Sequence, residues 1–272
     1  MKKILTMAAV ALLAASCSND KDVITPDLGT ANAPVAIKLT QSVEGITTKA
    51  PITSGSQVEG IVVMVDVTSG HEHDWGSFNP VYKNEIDGAT KELKTRANVA
   101  GAVFTAGTET DITLTPTLYY DNAQASPKNS HITAVVPSGT IESSKVVFGK
   151  VDGLQDVMTI GADQDAGTAA SPNQDGCKLT FSHKTTQLVF AASYTSVADN
   201  KGEWAGKDVS IKSIKVLGTQ LPQSVNLTNG DVNWATASDF SVPNITTTTL
   251  STTASTISPV SYTHLRAHET TL

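Results

Sequence analysis

The chain has 272 residues, a formal net charge of −7, a hydrophobic share of 39% and only 5% aromatic residues. That length suits one large or two ordinary domains, and an acidic surface without a basic stripe argues against nucleic acid as a partner. Thr, Ala, Val, Ser and Gly are the most frequent residues, and the abundance of Thr, Val, Ser and Gly favours extended strands and turns over helices.

At the N-terminus, Lys2 and Lys3 precede the apolar run Ile4 to Leu13, and Leu13-Ala14-Ala15-Ser16-Cys17 closes it with small residues and a cysteine. A basic start, a short apolar middle and a small-residue exit describe a secretion signal. The run is too short for a bilayer-spanning helix, which needs ~20 apolar residues. Its ending resembles the lipobox of bacterial lipoproteins. That resemblance implies removal of residues 1–16, acylation of the Cys17 thiol and a lipid-anchored, surface-exposed place on the outer membrane. Losing Lys2 and Lys3 with the leader takes the net charge to −9. With Cys17 lipidated, Cys177 has no disulfide partner and reads as a small buried hydrophobe. Residues 17–34 lack any apolar period and read as a flexible tether. Acidic residues in Ser18-Asn19-Asp20-Lys21-Asp22 also resemble a surface-export signal of Bacteroidales lipoproteins.

Period-two alternation recurs along most of the remaining chain. Ile37, Leu39 and Val43 alternate with Lys38, Thr40 and Ser42 and predict a first strand with one buried face, Gln41 breaking the pattern. Ile61 to Val65 is a continuous apolar run, too short for a helix, and predicts a strand covered on both faces. Gly88 to Val99 is the one stretch compatible with a short helix. Further strands are expected around Ile112 to Tyr120, Ile132 to Val136, Val146 to Val151 and Leu154 to Ile160. Gly161 to Gly176 is unpatterned, and residues 166–176 of it read as an interdomain linker. Alternation resumes over Lys178 to Tyr194 and Val209 to Val216. Val225 to Leu227 and Val232 to Trp234 flank Asn229-Gly230, a strong hairpin signal. Two groups of short strands predict an all-β chain of two β-sandwich domains, residues 35–165 and 177–260, the second incomplete at its C-terminus. Residues 261–272 resemble translated sequencing adapter and are set aside as a non-native tail.

The chemistry-bearing motifs are sparse. His71-Glu72-His73-Asp74 is a dense group of candidate ligands, but the flanking Gly70 and Gly76 favour a loop, and no third ligand is fixed by a rigid element. Asp163-x-Asp165-x-Gly167 resembles a calcium loop yet has Gln174 where an EF-hand needs Glu. Nucleophile-elbow, zinc-protease and phosphate-loop motifs are absent from the sequence. His183 reads as a satisfied histidine rather than a base. No catalytic residue, metal or cofactor is expected, and the chain is not read as an enzyme.

Taken in order, several pieces resemble the fimbrillin-like family, type V pilus subunits and related lipoproteins of Bacteroidales. They are Cys17, the strand Pro34-Val35-Ala36-Ile37-Lys38-Leu39, Thr47-Thr48-Lys49-Ala50, Gly153-Leu154-Gln155-Asp156-Val157-Met158 and Leu179-Thr180-Phe181-Ser182-His183. A departure is Gln57-Val58-Glu59-Gly60-Ile61, where members often carry Gly-Asp. The resemblance implies tandem transthyretin-like sandwiches and a structural role in pili and cell adhesion. It further implies a trypsin-like maturation protease cutting between Lys49 and Ala50, which displaces the strand holding Ile37, Leu39 and Val43. Other pilus subunits would then bind by β-strand addition. The competing reading is a glycan-binding surface lipoprotein, which an exposed row of Trp75, Trp204 and Trp234 would favour.

Overall fold

The computed structural model describes residues 34–43, 57–68, 75–90, 92–105, 109–121, 128–150, 152–194, 208–245 and 247–263. The chain is nearly all β, with 52% in strands and no α-helix among the described residues. The first strands are β1 (Thr40–Val43), β2 (Gln57–Thr68), β3 (Glu85–Ile86), β4 (Leu93–Thr95), β5 (Val99–Thr105), β6 (Thr110–Asp111) and β7 (Thr113–Thr115). The middle of the chain adds β8 (Lys128–Val136), β9 (Thr140–Glu142), β10 (Lys145–Val147), β11 (Met158–Thr159), β12 (Gln164–Asp165) and β13 (Lys178–His183). Then come β14 (Thr186–Ala192), β15 (Ser210–Ile211), β16 (Lys215–Thr219) and β17 (Pro222–Asn226). The last are β18 (Val232–Trp234), β19 (Ser238–Ser241), β20 (Thr248–Thr249) and β21 (Ser255–Thr263).

The largest sheet runs β6-β1-β13-β11-β8-β2-β5-β7, with β12 also on β8. Its two ends, β6 and β7, are separated only by Ile112, so the sheet curls back on itself around a first core. That core holds Ile37, Leu39, Val62, Met64, Phe104, Leu118, Ile132, Met158, Leu179 and Phe181. The rings of Phe104 and Phe181 meet edge to face at 4.7 Å.

The middle of β2, Ile61 to Val65, is apolar at every position because it is covered on both faces. Val62 and Met64 point into the first core, while Ile61 and Val63 point the other way into a second. The second core lies between this sheet and a four-stranded one, β18-β17-β10-β9, and includes Trp75, Val135, Val146, Phe148, Val225 and Leu227. A strand covered on both faces needs apolar residues at every position. Gly60 in β2 has no room for more: a Cβ there would lie 2.6 Å from both the Phe104 ring and the Val135 carbonyl.

Two expectations are corrected. Gly88 to Val99 is not helical, because Asp87 accepts hydrogen bonds from the Ala89 and Thr90 amides and turns the chain into the β3–β4 hairpin. Residues 166–176, expected as an interdomain linker, are instead held to the sheet at Ala166 and Gly167, with 170–175 exposed between. Ala166 is fully buried, its amide donates to the Ser130 carbonyl, and the Ser130 amide donates to Gly167. The Asn173 side chain closes the turn by donating to the Asp165 carbonyl at 2.7 Å.

The strand beyond that stretch, β13, pairs with β1 and β11, and β17 pairs with β10. Strands from both expected groups therefore share sheets. The Asn229-Gly230 hairpin forms as expected between β17 and β18, with Gly230 at φ +70° and its Cα-side face against Gly161. Further along, the described residues form ribbons β14–β21, β15–β20 and β16–β19. The backbone of Ser261 to Thr263 belongs to β21, opposite Leu188, Gln187 and Thr186.

Candidate functional site

The first strand occupies a slot between two other stretches of backbone. On one side it runs antiparallel to residues 110–120. The Tyr120 amide donates to the Val35 carbonyl at 3.0 Å, the Ile37 amide to Leu118 at 2.9 Å and the Ile112 amide to Leu39 at 2.9 Å. On the other side β1 lies parallel to β13, Thr40 opposite Lys178 through Val43 opposite Phe181, and the Thr40 amide donates to the Cys177 carbonyl. Ser42 and Thr180 add a hydroxyl pair at 3.1 Å. The strand is thus internal to the sheet, with hydrogen bonds on both edges.

Alternation decides which side chains enter the core. Ile37 and Leu39 are 4% and 2% exposed, as the sequence pattern predicts, while Lys38 between them is exposed. The side chain of Val43 lies outside the described residues. Gln41, read from sequence as a break in the pattern, faces inward and is 1% exposed. Its Nε2 donates to the Thr105 carbonyl at 2.7 Å and to Thr110 Oγ1 at 2.9 Å. The Thr105 carbonyl can only accept, which fixes the amide's orientation, and the Thr110 hydroxyl adapts to it. Among the described residues Gln41 Oε1 has no hydrogen-bond partner.

Cys177 and Tyr120 line the same core. Tyr120 donates its hydroxyl to the Ala166 carbonyl at 3.1 Å and sits 3.5 Å from Cys177 Sγ. Burial, aided by the neighbouring Cys177, raises the Tyr120 phenol far above its ordinary range. Burial likewise pushes the Cys177 thiol up, a protonated and unreactive state consistent with packing.

The other titratable residues are engaged structurally. His183 Nδ1 lies 2.7 Å from Asp156, both side chains nearly buried, and Thr185 donates to the second Asp156 oxygen at 2.9 Å. This triplet stitches β11 to β13. Asp163 meets His131 at 2.7 Å, and Asp165 accepts from Asn129 and from the Gly167 amide. Those carboxylates are turned to protein groups rather than arranged around a calcium position. Among the described residues no group of three or more His, Cys, Asp or Glu is placed to hold a metal ion.

Cys17, Lys49, Ala50, His71 to Asp74 and Trp204 lie outside the described residues. Trp75 is 1% exposed inside the second core and Trp234 is half-buried, so Trp75 cannot belong to an exposed tryptophan row. Among the described residues no helix is long and apolar enough to cross a membrane. No family model matches the chain, and no curated protein matches it. Gln41 is the residue that pattern reading missed. Its signal was the single polar residue in an otherwise apolar alternating series.

Proposed function

We propose that the chain is a fimbrillin-like surface lipoprotein, a structural subunit that joins its neighbours by exchange of the first strand. The observation that carries this reading is the seat of that strand. It is hydrogen-bonded on both edges, drives Ile37 and Leu39 into the core, and is joined covalently to the strands that follow through residues 44–56. That segment contains Lys49. One cut between Lys49 and Ala50 by a trypsin-like protease frees the strand from everything that follows. The vacated slot then presents apolar pockets and two rows of unpaired backbone groups, the chemistry that accepts a strand from another subunit. In the same reading, Cys17 carries the lipid that holds the precursor at the outer membrane, and the family's transthyretin-like sandwiches are built here with strands shared between residues 35–165 and 177–260.

The experiment treats purified precursor with an Arg/Lys-specific protease. A fragment beginning at Ala50 is expected, able to bind a peptide copied from a cognate subunit's C-terminal strand. Lys49→Ala should abolish both. A disulfide between Ser42→Cys and Thr180→Cys, which are paired across the two strands, should allow the cut but block donor binding. Donor binding that persists with the strand so stapled would refute the reading. Separately, Cys17→Ser should release the protein from the membrane fraction.

A further inference from the structure

We propose that Gln41 is the residue that sets the register of the first strand and, by the same means, selects which strands the slot accepts. The inward face of the strand reads Ile37, Leu39, Gln41, so the slot is apolar, apolar and then polar along its length. The polar seat is built from the Thr105 carbonyl at the end of β5 and Thr110 Oγ1 at the start of β6, both of which accept from the Gln41 amide. A slip by one residue would turn every side chain over and is excluded by the aliphatic pattern alone. A slip by two is the error that pattern does not forbid, because it keeps the same face inward.

Gln41 forbids it in both directions. Moved one way, Leu39 enters the polar seat and leaves Thr105 and Thr110 without their donor. Moved the other way, the amide enters the apolar seat of Leu39. Each slip leaves buried polar groups unsatisfied, which aliphatic residues at every inward position would not do. Among the described residues Oε1 finds no partner, so the amide uses only its donor side here. Removing it strips the Thr105 carbonyl and the Thr110 hydroxyl of their donor in either register, so the native register loses its advantage over the slip. Buried polar residues used in this way are best attested as register devices.

For the chain's own strand the proposal stands by itself. For strands arriving from other subunits it rests on the exchange reading, and there it specifies a side-chain amide two residues beyond the second of two alternating aliphatics. The test uses the full chain in a Cys177→Ala background and reads register by disulfide formation. Ser42→Cys with Thr180→Cys reports the native register. Thr40→Cys with Thr180→Cys reports a two-residue slip, since in the native register those Cα atoms are offset by ~6.6 Å along the strand and too far apart to bridge.

With Gln41 present, the first pair should cross-link and the second should not. Gln41→Met should raise the slip product at least about tenfold, and the denaturant midpoint should fall as well because the Thr105 carbonyl loses its donor in either register. Thr110→Val, which removes one acceptor and leaves the strand's sequence intact, should raise it in the same direction and carries the test should Gln41→Met not fold. A lowered midpoint with no slip product in the variant that folds would make Gln41 a stabilising core residue and overturn the proposal. Because register is read within one intact chain, failure of subunit exchange would leave this result standing.

Discussion

Leu39→Ala tests whether the first strand is packed as described. Leu39 is 2% exposed in the first core, and its amide-bearing neighbours are held on both edges, so the backbone cannot collapse to fill the gap. Truncating a buried leucine costs about 2–5 kcal/mol, toward the upper end where the site is rigid. For a chain of this size each kcal/mol lowers the melting temperature by about 2–4 °C, which gives a fall of roughly 4–20 °C. Lys38→Ala, one residue away and facing solvent, should stay within about 0.5 kcal/mol. Urea unfolding followed by tryptophan fluorescence suits the question, because Trp75 is buried in the second core. Equal midpoints for Leu39→Ala and Lys38→Ala would refute the packing of the strand and everything built on it.

Burial raises the Cys177 thiol, so the folded state holds its proton more tightly than the unfolded chain does. That stability is fully present below the unfolded thiol value of ~8.5 and is lost as pH rises past it. Urea midpoints measured from pH 7 to 10 should therefore fall more steeply for the wild type than for Cys177→Ala. Gly60→Ala places a methyl group 2.6 Å from the Phe104 ring and the Val135 carbonyl and should destabilise by about 1–3 kcal/mol in the same unfolding assay. His183→Ala removes the partner of a nearly buried Asp156 and should cost about 1–3 kcal/mol. Lys178→Ala, which breaks an exposed pair with Glu109, should cost at most about 1 kcal/mol.

Strand existence was legible in the sequence because alternation is local. The continuous run at Ile61 to Val65 announced burial on both faces, and Asn229-Gly230 announced its hairpin. Partnership was not legible. β1 and β13 are parallel neighbours separated by more than a hundred residues, and nothing in either segment's pattern names the other. The same blindness placed a linker at 166–176, where polar residues satisfy one another and the sheet while Ala166 is buried and Ala169 packs against the first core. At Gly88 to Val99 a weak apolar spacing competed with the turn chemistry of Asp87, and the turn prevailed. In the first strand, Ile37 and Leu39 were readable, but the role of Gln41 depends on Thr105 and Thr110, some sixty-four and sixty-nine residues away.

The seat of the first strand also constrains how an exchange must proceed. Emptying the slot withdraws Ile37 and Leu39 from the core, at about 1.5–3 kcal/mol each, and breaks hydrogen bonds on two edges at about 0.5–1.5 kcal/mol apiece. A slot that opened by itself would then be populated in fewer than about one molecule in a thousand. A donor that waited for such an opening would see a rate that levels off at the opening rate, whatever its concentration. Stepwise displacement avoids the empty state, because each pocket vacated by the resident strand is refilled before the next is given up. On the exchange reading, cleaved protein mixed with increasing donor peptide should therefore exchange at a rate proportional to peptide concentration. Fluorescence anisotropy of a labelled donor measures this directly. A rate that levels off at low donor concentration, well before binding saturates, would mean that the slot empties first and that the strand is held far more weakly than its buried side chains require.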